Sequence, residues 1–199
     1  MPDSSPISEK IIDNTQRQCS VKHCYNYRFR IGPYCRKHRN AKRYWGHPEA
    51  KAIRRRDYSC EMEDVINIIE LNPDHPGIKR GIDFFQGFLE DAANGSRLVP
   101  CPELIARLHV AGVRPLDILT EMAALWLLHD QQGGLIKSDL HLYHLMGSRL
   151  IRFIRYPGRT RGTQHFACGE YVRKNVGVLL VNISRTVEQK WRKENNFEY

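Results

Sequence analysis

Three cysteines and one histidine lie close together near the N-terminus, in the order Cys-x4-Cys-x10-Cys-x2-His. A segment this short buries too little apolar surface to form a core, so its fold needs another source of stability. Thiolate and imidazole donors can close a tetrahedral shell around zinc, and metal binding then supplies folding free energy. The pattern predicts one structural zinc ion bound by Cys19, Cys24, Cys35 and His38.

The last two donors also predict local structure. Cys35 and His38 are three residues apart, which places both side chains on one side of the first turn of a helix. Gly32 permits a tight approach into that helix, and Gly46 is a typical residue just beyond its end. We therefore expect a helix from about Cys35 to Trp45.

Two further histidines compete as ligands. His23 precedes the second cysteine, and His47 lies beyond the predicted helix. We favour His38 over both, because it shares a helical turn with Cys35. The remaining cysteines are scattered and are expected to be core or reduced surface thiols: Cys60, Cys101 and Cys168.

Positive charge is concentrated in two blocks. Residues 17–56 hold 13 Lys and Arg against one acid, and residues 147–174 hold seven against one. Between them, residues 57–146 carry 14 acids and six Lys and Arg. Segregation of this kind favours a polyanionic partner over general solubility, although a solvated basic face is the alternative.

The first basic block includes the predicted helix and the segment that follows it. A second short helix is expected from Glu49 to Tyr58, and basic side chains of both helices can contact phosphates. Trp45, Tyr44 and Tyr34 either stack on bases or pack beneath the metal site. The candidate nucleic-acid contacts in this block are Arg36, Arg39, Lys42, Arg43, Arg54, Arg55 and Arg56.

The second basic block offers another set of candidates. Arg149, Arg152 and Arg155 recur every three residues in a predicted helix, which places them on one face. Arg159 and Arg161 follow in a loop rich in glycine and threonine. These arginines either bind phosphates or pair with the acidic segment of the same or another subunit.

The N-terminal segment resembles the small treble-clef-like Cys-Cys-Cys-His modules of phage and mobile-element DNA-binding proteins. The resemblance rests on C-S-V-x-x-C (19–24), on G-x-x-C-x-x-H (32–38) and on the basic, aromatic tail (43–48). It covers about 30 residues and implies that these cysteines and the histidine bind zinc while the module contacts DNA. Some such modules precede HNH nuclease domains and others are fused to regulators. The chain departs from the usual pattern at Arg39 and His47.

The rest of the chain shows mostly helical periodicity. We predict a mainly α protein with a disordered lead (1–16), a zinc-binding basic module (17–57) and a multi-helix domain (58–199). Residues 115–128 are apolar on nearly all faces, which predicts a central buried helix. Ser138 is the expected N-cap of the next helix.

Catalytic signatures are scarce. The chain has no GK[ST] phosphate loop, no G-x-S-x-G and no H-E-x-x-H. His141 and His144 are the pieces on which an HNH-type nuclease would depend, and with His165 and Cys168 they would form a second metal site. A solvated pair of helix-face histidines is the favoured interpretation, so we expect no enzymatic activity.

The favoured function is that of a zinc-dependent DNA-binding protein, a transcriptional regulator or recombination accessory factor. Duplex DNA is favoured over RNA, and the helical domain is expected to form a homodimer or to bind a protein partner. The alternatives are an RNA-binding regulator and a protein-interaction adaptor with a structural zinc. The first residues lack an apolar signal segment, so a cytoplasmic protein without membrane association is expected.

Overall fold

The computed structural model describes residues 6–131, 134–155, 158 and 160–194. Within those residues the chain is mainly helical, as the sequence predicts. It divides into two compact units, residues 1–52 and residues 53–199. None of the described helices combines the length and apolar character that crossing a membrane requires.

The first unit contains α1 (Pro6–Thr15) and α2 (Arg36–Trp45). The predicted helix near Cys35 is confirmed, with Gly46 in the left-handed region at φ 80° and its N–H donating to the Lys42 carbonyl. The expectation of a disordered lead is wrong for Pro6–Thr15. The Asn14 side chain donates to the carbonyls of Arg30 (2.5 Å) and Gly32 (2.9 Å), which fixes the end of α1 to the loop before α2.

The segment that crosses the boundary of the two units differs from its prediction. Of the helix expected from Glu49 to Tyr58, only a 3-10 turn over Arg55–Tyr58 is present. The Arg54 N–H donates to Asp57 Oδ2 at 2.7 Å, which stabilises this short turn. Ile53 and Tyr58 are buried in the apolar core of the second unit, so that unit begins before the predicted residue 58.

The described residues of the second unit form six α-helices, and proline or a capping side chain begins several of them. The Ser138 hydroxyl accepts from the His141 N–H, which confirms the predicted N-cap. The helices are α3 (Ser59–Leu71), α4 (Pro76–Ala93), α5 (Pro102–Val110), α6 (Pro115–Gln131), α7 (Asp139–Arg152) and α8 (Gly162–Glu194).

The centre of this unit is α6. Residues 118–128 of this helix are buried, which confirms the central buried helix predicted from a segment that is apolar on nearly all faces. Two glycines let α7 and α8 approach closely. A Cβ atom at Gly147 would overlap the His165 carbonyl, and one at Gly169 would overlap the Tyr143 carbonyl. Larger residues at either position would separate the two helices.

Candidate metal centre and basic surface

The four predicted metal ligands come together in the first unit. One donor atom from each of Cys19, Cys24, Cys35 and His38 lies within 4.8 Å of all the others. His38 Nδ1 is 3.3 Å from Cys19 Sγ and 3.5 Å from Cys35 Sγ, and the Sγ atoms of Cys24 and Cys35 are 3.9 Å apart. Ligands of a tetrahedral zinc ion are separated by about 3.8 Å, given a Zn–S distance of about 2.3 Å. The donor set and its spacing therefore fit a tetrahedral metal ion.

Local backbone structure positions the donors. The Cys19 N–H donates to the Asn26 carbonyl at 2.9 Å, and the Cys24 N–H donates to the Val21 carbonyl at 3.1 Å. These bonds form the loop that holds the first two thiols. Cys35 occupies the N-cap of α2, and its carbonyl accepts from the Arg39 N–H. The Cys35 thiol therefore lies at the start of the helix that carries His38.

Hydrogen bonds favour the thiolate at one of the ligands. A bond from the Asn26 backbone N–H lowers the pKa of Cys24, and the Asn26 side-chain amide donates to Cys24 Sγ at 3.7 Å. Burial instead raises the pKa of Cys35. A bound cation would oppose that effect, because thiolates rather than thiols bind metals.

The two competing histidines lie outside the cluster. His47 Nδ1 accepts from the Glu49 N–H at 3.2 Å, and neither His23 nor His47 joins the four donors. Among the described residues, this is the one group of three or more His, Cys, Asp or Glu side chains close enough to share a metal ion.

A cluster of cations surrounds one aromatic ring beside α2. The guanidinium carbons of Arg30, Arg36 and Arg39 lie 5.4, 5.9 and 5.2 Å from the centre of the Phe29 ring. We call Phe29 with these three arginines the arginine cluster. Sequence reasoning missed Arg30 and Phe29. The alternation Arg28-Phe29-Arg30 was the available signal, but it does not show that Arg28 turns away, toward the Gln18 carbonyl.

Further along α2, two more cations lie over aromatic rings. Lys42 Nζ is 5.2 Å from the Tyr34 ring centre, and the Arg43 guanidinium is 5.9 Å from the Tyr44 ring centre. Neither these two side chains nor the arginine cluster forms an ion pair with a described residue. The surface therefore carries five cations whose charge the described part of the chain does not neutralise.

The basic residues after the first unit are exposed, but two of them have an acidic neighbour. Arg55 Nε is 3.5 Å from Glu121 Oε2, and Arg56 Nε is 3.7 Å from Asp57 Oδ1. Arg54 is exposed. Two of these three predicted contacts thus have an acidic partner in the second unit.

Arg149 is a correction to the predicted nucleic-acid contacts. Its side chain is only 8% exposed, donates from Nη2 to the Ile53 carbonyl at 2.5 Å, and lies over the Tyr58 ring. Its Nε is 4.0 Å from Glu121 Oε1, the atom to which the Tyr58 hydroxyl donates. Burial, with the Glu121 carboxylate second, raises the pKa of Tyr58 well above its usual range. Arg149 therefore compensates a buried carboxylate and is inaccessible to phosphate.

The other arginines of the second basic block have different positions. Arg152 and Arg161 are exposed, so they remain candidates. Arg159 lies outside the described residues.

The histidines of α7 are not a solvated pair, so that interpretation is wrong. His141 is fully buried, and its Nδ1 accepts from the Lys137 N–H. His144 Nε2 lies 3.1 Å from His165 Nδ1 across the close α7–α8 contact. Burial, then the neighbouring His165, lowers the pKa of His144 to about 4. Cys168 donates instead to the Pro100 carbonyl, and these side chains do not gather as metal ligands.

Comparison of the chain with protein-family models, curated proteins and solved structures gave no match. The metal centre and the basic surface beside it are therefore the features from which a function can be inferred.

Proposed function

We propose that this protein binds DNA through its first unit, whose fold is held by one zinc ion. The resemblance of the N-terminal segment supports a role as a transcriptional regulator or recombination accessory factor of a phage or mobile element. Nucleic-acid binding depends on the basic surface, and the zinc ion has a structural role.

The arginine cluster is the observation that carries the proposal. Three guanidinium groups share the surroundings of one ring without an acidic partner among the described residues. A cation–π contact with an aromatic ring limits the motion of a guanidinium group, so less entropy is lost when it binds phosphate. Arg36, Arg39 and Arg43 lie three and four residues apart on α2, so they follow one face of the helix.

The donor set supports a structural rather than a catalytic metal. Three thiolates and one imidazole complete a four-coordinate shell, whereas catalytic zinc keeps a position open for water or substrate. The histidines outside this site give no support to a nuclease, because His141 is fully buried. We therefore assign no reaction to the protein.

The test compares affinities for a fluorescent duplex of random sequence by anisotropy. We expect the triple variant Arg36→Gln, Arg39→Gln, Arg43→Gln to bind the duplex about 100-fold more weakly, because several phosphate contacts are lost. A matched control, Arg80→Gln, Arg97→Gln, Arg185→Gln, removes the same charge from exposed positions of the second unit. Equal affinity of the two triple variants would contradict the proposal.

A second candidate is an RNA-binding regulator. Tyr25 and Tyr27 are 79% and 65% exposed, and unstacked bases of single-stranded RNA pack on such rings. Competition between unlabelled duplex DNA and single-stranded RNA distinguishes the two. If RNA competes better and Tyr25→Ala, Tyr27→Ala abolishes that preference, the second candidate is correct. If neither competes, the zinc module is an adaptor for protein partners.

A further inference from the structure

A groove of about 590 Å³ lies in the second unit, between α8 and the end of α3 with the start of α4. Its floor is apolar and includes the buried side chains of Ile68, Ile78, Val176 and Ile183. The rim is exposed and mostly polar, with the apolar Val178 among its exposed residues. A buried apolar floor with a polar rim is typical of a binding site.

Packing of glycine on α4 forms this floor. A Cβ atom at Gly81 would overlap the Leu179 side chain, and one at Gly77 would lie 3.2 Å from Leu179 Cδ1. Leu179 can therefore approach the α4 backbone, and both Gly77 and Leu179 line the groove. The groove is a product of close helix packing and is already formed in this structure.

The groove is long. It follows α8 from Asn175 to Gln189, a distance of about 21 Å at 1.5 Å per residue. Asn175, Asn182 and Gln189 are spaced by seven residues, so their amides form a line along the groove. The side-chain amides of Asn182 and Gln189 make no hydrogen bond to a described residue. The length and the seven-residue spacing fit a helix of about 14 residues better than a small molecule.

The charge of the groove indicates the chemistry of its occupant. Arg80 and Arg185 line it, no acidic residue does, and neither arginine forms an ion pair with a described residue. Symmetric pairing of two copies through this face would bring arginines against arginines, which opposes self-association. A partner with carboxylates at the edge of its apolar stripe would neutralise both arginines.

We propose that this groove binds an amphipathic helix of a partner protein, with acidic residues that pair with Arg80 and Arg185. Apolar side chains of the partner helix would cover the floor. This interaction is independent of the metal centre and of nucleic-acid binding.

The test selects a displayed library of 14-residue helical peptides, randomised on one face, against the zinc-loaded full-length protein. We expect enriched peptides to carry an apolar stripe flanked by Asp or Glu. The best peptide, synthesised with a fluorophore, should lose about tenfold or more in affinity with Arg185→Glu. The matched control Arg97→Glu makes the same charge change at an exposed position outside the groove and should bind normally.

A charge exchange gives the sharpest result. The double variant Arg80→Glu, Arg185→Glu should bind a version of the peptide in which Lys replaces the acids. Acidic peptides can also bind the basic first unit, but such binding would respond to Arg36→Gln, Arg39→Gln, Arg43→Gln and not to Arg185→Glu. The proposal is overturned if no peptide is enriched, or if binding ignores Arg185→Glu. It is also overturned if the groove instead joins two copies, seen as a dimer in sedimentation that Arg185→Glu dissociates.

Discussion

The two units of this protein differ in what holds them together. In the first, the small apolar cluster consists of Cys19, Val21 and Cys35 with Cys24 and Tyr34 against them, so most of its members are the candidate metal ligands. In the second, a continuous apolar core surrounds α6, in which residues such as Leu119 and Leu125 are fully buried. We therefore expect removal of the metal to destabilise the first unit, and removal of a core side chain to destabilise the second.

The units also differ in the surroundings of particular arginine side chains. In the second unit, Arg149 lies beside the buried Glu121, and Arg55 approaches the same carboxylate. In the first unit, the arginine cluster has no acidic partner among the described residues. Compensated arginines stabilise a fold, whereas uncompensated arginines on a surface are available to a polyanion. Arg80 and Arg185 of the second unit also lack an ion pair with a described residue, but in the first unit three such arginines gather around one ring, which is why we propose the nucleic-acid contacts there.

The largest effect should come from the metal ligands. We expect Cys35→Ala to abolish zinc binding and to unfold the first unit, because a structural zinc supplies about 10–16 kcal/mol of binding free energy in small modules. Zinc content and limited proteolysis measure the result, and Cys60→Ala, at an exposed cysteine outside the cluster, is the control. If Cys35→Ala kept one zinc per chain, Cys35 would not be a ligand. If the second unit unfolded with the first, the two units would not be stabilised separately.

Arg149→Met should have the next largest effect. Removal of one partner from a buried ion pair costs about 3–5 kcal/mol, because the remaining charge stays buried. Urea unfolding of the second unit measures this loss, and the exposed Arg152→Met is the control. Zinc content and duplex affinity should not change with Arg149→Met. A fall in duplex affinity with normal stability would restore Arg149 as a nucleic-acid contact.

Acid should destabilise the second unit through the histidine pair. The folded-state pKa of His144 is about 4, while an unfolded histidine titrates near 6.5, so the unfolded state binds more protons between these values. The contribution of the neutral His144 to the free energy of unfolding should therefore be fully present above about pH 6.5 and should fall as the pH decreases toward 4. We expect a loss of about 1–2 kcal/mol, smaller than the full pKa difference implies because the ring is partly exposed.

Urea unfolding at pH 4.5, 5.5 and 7 tests this expectation. His144→Gln removes the titrating group and should flatten the dependence, although His165, whose pKa burial also lowers, keeps part of it. The Arg152 charge also lowers the pKa of His165, and His141 also lowers the pKa of His144. Arg152 and His141 are therefore left unchanged in the His144→Gln variant. The control is His109→Gln, at an exposed histidine of α5. A pH dependence that is the same in all three proteins would refute the assignment.

The smallest effect should come from the cap of α7. Ser138→Ala removes the hydroxyl that accepts from the His141 N–H and should cost about 1 kcal/mol of unfolding free energy in the second unit. Ser138→Asp keeps an acceptor and should retain most of the stability. If Ser138→Ala changed zinc binding, the stability of the first unit would depend on the second, contrary to our expectation.

Local signals predicted much of this structure. Four signals each identified a helix or its end, because each depends only on residues that are close together in the sequence. They are the Cys35 to His38 spacing, Gly46, the apolar segment of α6 and Ser138. The four metal donors were predicted for the same reason. Cys19 lies near Cys24 in the sequence and Cys35 lies near His38, so the site needs only that these two pairs meet.

Contacts between distant residues were not predictable from the sequence. Arg149 has the spacing of an exposed basic face, and only its contacts with Glu121 and Tyr58 show that this position faces inward. His144 and His165 approach because Gly147 and Gly169 allow α7 and α8 to pack closely, which periodicity does not reveal. The 3-10 turn after Arg54 also depends on burial of Tyr58 in the core of the second unit, which neighbouring residues in the sequence do not reveal.

The salt dependence of duplex binding by the zinc-loaded protein is the decisive measurement for the proposed nucleic-acid surface. We predict that the logarithm of the association constant falls linearly with the logarithm of salt concentration, with a slope of about −3 or steeper, near −0.9 for each phosphate neutralised. The variant Arg36→Gln, Arg39→Gln, Arg43→Gln should have a slope closer to zero. A slope near zero for the unmodified protein, or the same slope in both, would contradict the assignment of this surface to nucleic acid.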